Sequence, residues 1–407
     1  MRFLCTLVAA ASLAFAADWP RFRGDNGTGI AVGEFTWPTD LDKATAWKLK
    51  LPGVGHGSPI VVGGHVFVQV AKADGTAVSL VSVNKATGDI EWSKGLPTAP
   101  GKYHKKNSMA SGTPCSDGEH VAAVFWDGAK LHLAVYDFAG KELWAKVLGS
   151  FTGDHGAGHS PMMVDGRVIV NFDQDGRAEL LAFEAKSGEE CWRTTRAGKR
   201  TSYTTPLVRT TAAGRTELVV GTSTALSGYD PATGHATWEY PLSWPQGKAL
   251  RAVGQPICIG GGVAMTCGEG GEGRYMLCVT PQVKSAVKLT WDSRKGTPYV
   301  PAPVLVKGHL YWVGDDGLAA CAEADTGKVS WSERLHGRGV SSSPVVLGAQ
   351  ILSIAEDGSS ATFTASTTGL EKTRGPSFAE VVYATPAAAD GRVYVRSVHH
   401  LWCVNAK

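Results

Sequence analysis

The sequence lacks the cysteine arrangements that bind metals or build disulfide scaffolds. Its 407 residues include eight cysteines, but no Cys-x-x-Cys pair, no adjacent Cys-Cys pair and no Cys/His cluster at metal-ligand spacing. Cys278, Cys321 and Cys403 fall in one column of a repeat described below, and the other members of that column are mostly small residues. We therefore expect them to be small buried hydrophobic side chains, and we predict no metal site.

Strong charge and long apolar runs are also scarce. Charged residues make up 19% of the chain, and the formal net charge is +3. This balance gives no indication of a nucleic-acid or membrane-surface partner. No apolar stretch is long enough to span a bilayer, so we predict no membrane span.

The N-terminus has the features of a secretory signal peptide. Arg2 precedes an apolar run that ends at Phe15, and Ala14-Phe15-Ala16 forms an Ala-x-Ala cleavage site. We predict that residues 1–17 are removed and that the product is exported, either periplasmic or secreted. Cys5 stands before the apolar run, which is too early for a lipidation cysteine.

No window of helix length shows a sustained period of 3.6 residues, but a β-rich unit recurs. It reads LVSVNKATGDIEW at 80–92 and returns four more times, always with a glycine four residues before a tryptophan. The apolar run predicts a strand, the segment around the glycine predicts a hairpin turn, and the tryptophan begins the returning strand. One large ring at a fixed place in each unit indicates a plate that docks between neighbouring units.

A second landmark is a Ser, Thr, Gln or Ala followed by proline, which opens an apolar strand. It occurs eight times, at Pro59, Pro114, Pro161, Pro206, Pro256, Pro303, Pro344 and Pro386. With the strands that follow, each unit contains four strands, named A to D in chain order. The eighth unit stops where its D strand should begin, and an unpaired N-terminal strand (46–51) supplies the missing piece.

These landmarks predict an all-β fold, an eight-bladed β-propeller of four-stranded antiparallel blades closed by the N-terminal strand. Residues 18–45 would form an N-terminal extension, and residues 46–407 the propeller. The predicted blade-docking residues are Trp47, Trp92, Trp144, Trp192, Trp238, Trp291 and Trp331. The fifth unit lacks the Thr-Gly turn, so its C–D hairpin should be longer or bent. The seventh has Thr373 in the tryptophan column, which should weaken one contact between blades.

The repeated pattern A-x-D-x-x-T-G-x-x-x-W resembles the tryptophan-docking motif of quinoprotein propellers, which include dehydrogenases that use pyrroloquinoline quinone (PQQ). Five of the eight units are similar to it. The segments WPRFRGDNGTG (18–29) and HKKNSMASGTP (104–114) look like the exported PQQ-like repeat proteins of planctomycete-type bacteria. The resemblance covers the whole mature chain. It implies the fold. It leaves the function open, because these propellers include dehydrogenases as well as BamB-like relatives that are not enzymes.

In such a blade, the D-to-A links and the B–C loops emerge at one end, which we call the mouth. Cationic and aromatic side chains of these links are the predicted site for a ligand or partner. They are His56, His104, Lys105, His155, His159, Arg200, Tyr203, Arg251, His336, Arg338 and Arg374. Such a set suits an envelope protein or a small anionic or sugar-like ligand, although link residues also serve simply as solvated caps of blade ends.

Three functions remain open at this stage. The favoured one is a non-catalytic binding or assembly module of the cell envelope, with no catalytic residue and no cofactor. The second is a PQQ-dependent quinoprotein oxidoreductase, which the resemblance implies would hold PQQ with calcium; no calcium-ligand set is matched residue by residue. The third is a secreted carbohydrate-binding accessory protein, for which Tyr103, Trp244 and Tyr299 would face one groove.

Overall fold

The computed structural model describes residues 18–244, 247–269, 273–282 and 285–407. The predicted signal peptide lies outside the described residues, and so does part of the fifth-blade C–D hairpin. The described strands form eight sheets, each built around four antiparallel strands; in one of them the short strand β1 (Ile30–Ala31) adds a fifth strand in parallel, and helix is confined to short turns. The predicted all-β, eight-bladed propeller is confirmed.

The N-terminal region contains a short 3-10 turn (Asp25–Gly27), β1 (Ile30–Ala31), the single-turn helix α1 (Leu41–Ala44) and β2 (Thr45–Lys50). No helix in the described part of the chain is long and apolar enough to cross a membrane.

Blades 1 to 4 follow in chain order, and each uses four consecutive strands. Blade 1 comprises β3 (Ile60–Val62), β4 (His65–Ala71), β5 (Ala77–Asn84) and β6 (Ile90–Pro97). Blade 2 comprises β7 (Cys115–Ser116), β8 (His120–Trp126), β9 (Lys130–Asp137) and β10 (Glu142–Ser150). Blade 3 comprises β11 (Met162–Val164), β12 (Arg167–Gln174), β13 (Arg177–Glu184) and β14 (Glu190–Arg196). Blade 4 comprises β15 (Leu207–Thr210), β16 (Thr216–Gly221), β17 (Ala225–Tyr229) and β18 (Ala236–Pro241).

Blades 5 to 8 repeat this order. Blade 5 comprises β19 (Ile257–Ile259), β20 (Gly262–Cys267), β21 (Tyr275–Pro281) and β22 (Val287–Ser293). Blade 6 comprises β23 (Val304–Val306), β24 (His309–Val313), β25 (Leu318–Glu323) and β26 (Val329–Arg334). Blade 7 comprises β27 (Val345–Leu347), β28 (Gln350–Ile354), β29 (Ser359–Thr364) and β30 (Lys372–Ser377). Blade 8 comprises β31 (Ala387–Ala389), β32 (Arg392–Arg396), β33 (His400–Asn405) and β2.

The core lies between the blades. The B and C strands are buried on both faces because each blade packs on two neighbours, as the run of buried residues along β4 shows. The D strands are the outer strands; in β14 two exposed residues are followed by the buried Trp192, after which exposed and partly buried residues alternate. The described cysteines are all free thiols, and Cys278, Cys321 and Cys403 are buried as expected.

The N-terminal strand closes the ring as predicted. In blade 8, β2 pairs antiparallel with β33, and Trp47 lies opposite Cys403. The first and last segments of the propeller are therefore hydrogen-bonded in one sheet, which leaves no open seam in the ring.

The tryptophans dock between blades. The Trp144 ring of blade 2 covers Gly188 of blade 3, and a β-carbon added to Gly188 would lie 2.5 Å from that ring. The Trp144 indole N–H donates to the Ala185 carbonyl of the same turn, at 2.8 Å. Trp47, Trp92, Trp192, Trp291 and Trp331 make the same kind of bond to the next blade. Trp238 differs, since its N–H donates to Glu217 in its own blade.

Blade 7 replaces its missing ring with one from the extension. Thr373 occupies the tryptophan column, opposite Thr362. Trp37 packs near Gly375, two residues further along the same strand, and its indole N–H donates to Ser360 Oγ at 3.0 Å. Trp37 also contacts Phe378, with the ring centroids 6.4 Å apart. A ring of the extension therefore packs on blade 7 two residues from the position where the tryptophan is missing.

Candidate functional site

A cavity of about 570 Å³ opens at the mouth, on the propeller axis. Each of the eight D-to-A links contributes to its wall, so the cavity is a product of the whole ring and not of any one blade. The link residues, taken in blade order, are His56, His104, His155, Tyr203, Val253, Tyr299, Ser341 and Tyr383. Glu269, Arg274, Asp315 and Asp316 add to the wall from the B–C loops of blades 5 and 6. We call this cavity the cup.

The residues before the repeated prolines form an arc of hydrogen bonds around the cup. Each backbone N–H in the arc donates to the side-chain hydroxyl at the same position of the next blade. The bonds run from Ala302 to Ser343 (3.0 Å), Ser343 to Thr385 (2.9 Å), Thr385 to Ser58 (3.0 Å), Ser58 to Thr113 (3.1 Å) and Thr113 to Ser160 (2.9 Å). The arc joins blades 6, 7, 8, 1, 2 and 3. All five hydroxyls line the cup.

The floor of the cup is made by the segment from Asp18 to Ala31, which we call the plug. It crosses the far end of the channel and contacts blades 1 to 7, each at its innermost strand or at one of the two residues before that strand. Trp19 pairs with Val61 of blade 1, and β1 pairs parallel with β27 of blade 7. The other contacts are Pro20 with Ser116, Arg21 with Met162 and Pro206, Asn26 with Val208, Gly27 with Gln255, and Arg23 with Pro303.

Phe22 is the plug residue that lines the cup. Arg21 and Arg23 flank it, and their guanidinium groups donate to the carbonyls of Pro206 and Pro303 in blades 4 and 6. The Arg-Phe-Arg sequence thus fixes the plug on two sides and directs the central ring into the cavity. The channel ends on this segment, and the cup opens only toward the mouth.

The wall is rich in imidazole and phenol rings. The rings of His104 and His155 have centroids 4.8 Å apart, and those of His56 and Tyr383 are 4.4 Å apart. Burial lowers the pKa of His56 to about 4; the bond to the Lys106 carbonyl opposes this shift and the nearby Arg396 adds to it, so this ring is neutral at pH 7. Burial also lowers the pKa of His155, with smaller contributions from Arg251 and His104.

The wall carboxylates are already engaged. Glu269 pairs with Arg251 at 3.0 Å. Asp315 accepts the backbone N–H groups of Tyr299 and Val300, at 2.8 and 3.2 Å. Among the described residues, no three His, Cys, Asp or Glu side chains are placed to hold a metal ion. Asp316, the third wall carboxylate, accepts the backbone N–H of Leu318 at 3.2 Å.

The eleven predicted site residues do not all lie in the cup. His56, His104, His155 and Tyr203 line the cup. Arg200 and Arg251 stand behind the wall, where both lie near Asp154. His159 and His336 are buried below it, bonded to the Asp173 carbonyl and to Ser353 Oγ. Lys105 and Arg338 are exposed and do not line the cup. Arg374 lies in β30, not in the link where the sequence analysis placed it.

Sequence reasoning missed the floor and most of the polar lining. Phe22 gave no local signal, because the path of the plug depends on contacts with residues more than a hundred positions away. The Ser/Thr before proline was visible in six of the eight units. The pattern predicts a strand start, but a hydroxyl is not needed to start a strand. Its recurrence was the signal for the arc.

Comparison with known protein families identifies the family of this propeller. The sequence profile of the family described as "Outer membrane protein assembly factor BamB" matches residues 33–129, 79–311 and 285–372. These ranges together cover well over half of the chain. The chain belongs to this family. The plug precedes the matched ranges. No curated protein matches the sequence of this BamB-family chain.

Solved structures share its fold at low identity. BamB from Moraxella catarrhalis has a TM-score of 0.65 at 14% identity, over 89% of this chain and 99% of that one. Quinohemoprotein alcohol dehydrogenase from Comamonas testosteroni has a TM-score of 0.63 at 13% identity, over 96% and 81%. Sqt1 from Saccharomyces cerevisiae has a TM-score of 0.64 at 10% identity, over 89% and 99%. The likeness to a dehydrogenase is a likeness of fold, and it carries no activity to this BamB-family chain.

Proposed function

We propose that this chain is a non-catalytic binding module of the cell envelope, and that the cup is its binding site. The observation that carries the proposal is the blind cup itself. It has about 570 Å³ of space, all eight links in its wall and a separate segment as its floor. Pockets of this size that combine rings with a few polar groups are typical of binding sites.

The engagement of the carboxylates supports a binding role over catalysis. A general base or a metal ligand needs a carboxylate oxygen that is available to the reacting group. Glu269 is held by Arg251, and Asp315 is held by two backbone N–H groups. The described wall groups are instead arranged as fixed donors and rings, which suit recognition.

The carbohydrate-binding alternative gains less support from the geometry. It requires Tyr103, Trp244 and Tyr299 to share one groove. Tyr299 lines the cup, but Tyr103 and Trp244 do not. The Trp244 N–H is bonded to the Ser223 carbonyl at 2.7 Å.

A variant that fills the cup tests the proposal. Ser341 lines the cup, and Ser341→Trp should block it; Ser332→Trp adds the same ring on the exposed face of β26 and serves as the matched control. A panel of small molecules and of extracytoplasmic peptides is screened by thermal shift against the mature protein. We expect ligands that bind the wild type and Ser332→Trp but not Ser341→Trp. Ligands that bind all three proteins equally would contradict the assignment of the cup.

A further inference from the structure

We propose that the cup binds a small organic anion, and that the floor and the hydroxyl arc hold its carboxylate or phosphate group. This inference rests on the proposed function and names the ligand class of the same site. Two independent features carry it: a set of hydroxyl donors that face the cup, and three buried cations behind it.

The first feature is the hydroxyl arc. Each of its five hydroxyls accepts one backbone N–H, which fixes the oxygen against the wall. Among the described residues, none of these hydroxyls donates its own proton to a protein acceptor. A serine or threonine hydroxyl carries one donor proton in addition to its acceptor sites. Five O–H groups are therefore available to a ligand in the cup, and oxyanions are strong acceptors for such donors.

The second feature is a group of three buried arginines. Arg21, Arg23 and Arg396 are 6%, 0% and 1% exposed. Each donates to a backbone carbonyl next to the pre-proline position of a blade: that of Pro206, Pro303 and Gly57 respectively. These carbonyls lie in blades 4 and 6 and in the link to blade 1. Arg21 and Arg23 thus lie in the floor segment on either side of Phe22, and Arg396 lies behind the wall, near His56.

These cations have no carboxylate partner among the described residues, whereas other buried arginines have one. Arg196 pairs with Asp173, and Arg251 pairs with Glu269. Arg23 and Arg396 each have two guanidinium nitrogens without a hydrogen-bond partner, and the Arg21 Nε has none either. A buried charge is costly unless an opposite charge compensates it. The floor therefore has a positive potential that an anion in the cup would neutralise.

The effect of burial on the guanidinium groups agrees with this geometry. Burial lowers the pKa of Arg23 and Arg396 to about 9, and lowers that of Arg21 to about 10 despite attraction from Cys115 and Asp25. Asp25 belongs to the plug and forms no ion pair with Arg21 among the described residues. A bound anion would favour the charged form of all three groups.

The acidic residues of the wall do not oppose an anion at the floor. Glu269, Asp315 and Asp316 all lie on the B–C loops of blades 5 and 6. Glu269 is compensated by Arg251, and Asp315 lies 3.9 Å from Arg274. The hydroxyl arc continues from blade 6 through blades 7, 8, 1 and 2 to blade 3, so most of it is remote from these carboxylates. The anion is expected on the side of the arc.

Titration calorimetry of the mature protein with citrate and with inorganic phosphate tests the proposal. Ionic strength is held constant with chloride, and glucose is the neutral probe. We expect at least one anion to bind at a single site, with affinity that falls as salt is raised. Tighter binding of citrate would indicate a carboxylate ligand, and tighter binding of phosphate a phosphate ligand. Binding of neither anion would overturn the proposal.

Three variants locate the anion. Thr113→Val removes one arc hydroxyl at nearly constant shape, and Thr113→Ser retains it. We expect Thr113→Val to weaken anion binding about tenfold, because a hydrogen bond to a charged group is worth about 1.5–3 kcal/mol, while Thr113→Ser binds as the wild type does. Arg396→Met should weaken binding by at least as much. If Arg396→Met does not fold, the difference in anion affinity between Thr113→Val and Thr113→Ser still tests the proposal.

Arg338→Met is the control for nonspecific electrostatic attraction of the anion to the surface, since the Arg338 side chain is 76% exposed and lies outside the cup. It should leave anion binding unchanged. Equal losses in Arg338→Met and Arg396→Met would assign the anion to the rim and overturn the proposal. A neutral ligand that Ser341→Trp excludes, together with no anion binding, would retain the cup as a binding site but refute its anionic class.

Discussion

At the scale of single residues, a turn glycine in five of the blades makes the tryptophan contact feasible. Gly188 has a φ of +71°, which the hairpin turn requires, and it also leaves room for the Trp144 ring of the preceding blade. The two demands coincide at Gly88, Gly140, Gly234 and Gly327 as well. The glycine and the tryptophan of one repeat therefore contact different blades. The glycine receives the tryptophan ring of the preceding blade, and in blades 1 to 3 the tryptophan ring packs on the glycine of the next blade.

Gly188→Ala should be distinctly more destabilising than the same change at Gly176. Gly176 has a φ of +84° but nothing near its missing β-carbon, so Gly176→Ala reports the backbone cost alone, about 1 kcal/mol. Gly188→Ala adds a clash with the Trp144 ring, and overpacking of this kind typically costs about 1–3 kcal/mol more. Thermal unfolding of both variants checks this. Equal losses would show that the ring is not docked on Gly188.

A buried histidine should make the fold sensitive to acid. Burial lowers the pKa of His159 from 6.5 to about 4, and His159 is 4% exposed. The unfolded chain takes up this proton near pH 6.5 but the folded chain does not, so stability is lost as pH falls from 6.5 to 4. The upper bound for this residue is about 3 kcal/mol.

His159→Gln should reduce that loss, because glutamine does not titrate. Melting temperatures between pH 4 and pH 7 measure the effect. His235→Gln, at an exposed turn, should leave the wild-type slope unchanged. A slope that is the same in His159→Gln and in the wild type would place the acid sensitivity elsewhere, for example at His56 and His336, whose pKa values burial also lowers to about 4.

At the scale of elements, the N-terminal extension supplies a tryptophan ring to blade 7, whose own repeat lacks one. Blade 7 lacks the docking tryptophan, and the segment before α1 supplies Trp37 to the same region. Thr36 N–H also donates to the Ala406 carbonyl at 2.7 Å, which ties this segment to the end of blade 8. The extension is thus part of the packing between blades 7 and 8.

Trp37→Ala should destabilise the protein by about 3–5 kcal/mol, the usual range for loss of a large buried aromatic ring. Trp37→Phe should recover most of this, because it keeps a ring against Phe378 and loses only the bond to Ser360. Chemical denaturation of the two variants is the measurement. A loss below about 1 kcal/mol in Trp37→Ala would refute the role of Trp37 as the replacement ring.

At the scale of the whole molecule, the plug contributes both to the stability of the propeller and to the binding site. It contacts blades 1 to 7 on the far side of the channel, and Phe22 is part of the cup. Removal of residues 18–31 should lower the melting temperature and abolish binding in the cup. Phe22→Ala keeps both flanking arginines, so it should weaken binding with a smaller loss of stability. A truncated protein with unchanged stability would contradict this role of the plug.

The fold could be predicted from the sequence because its signals are local. A strand, its turn and its tryptophan occupy about a dozen consecutive residues and recur five times, and the pair that ends in proline recurs eight times. The site could be predicted only in part, because neighbouring link residues differ in depth. His155 lines the cup, yet His159, four residues later, is buried beneath it. The plug and the hydroxyl arc depend on contacts between blades, which no local pattern encodes.

The most direct test of a non-catalytic cup is calorimetric titration of the mature protein with PQQ, with and without Ca²⁺, followed by a dye-linked dehydrogenase assay. The account predicts that calcium leaves the titration unchanged and that no alcohol or sugar substrate reduces the dye. Calcium-dependent PQQ binding that disappears in Ser341→Trp, accompanied by dye reduction in the wild type, would contradict it and identify an oxidoreductase.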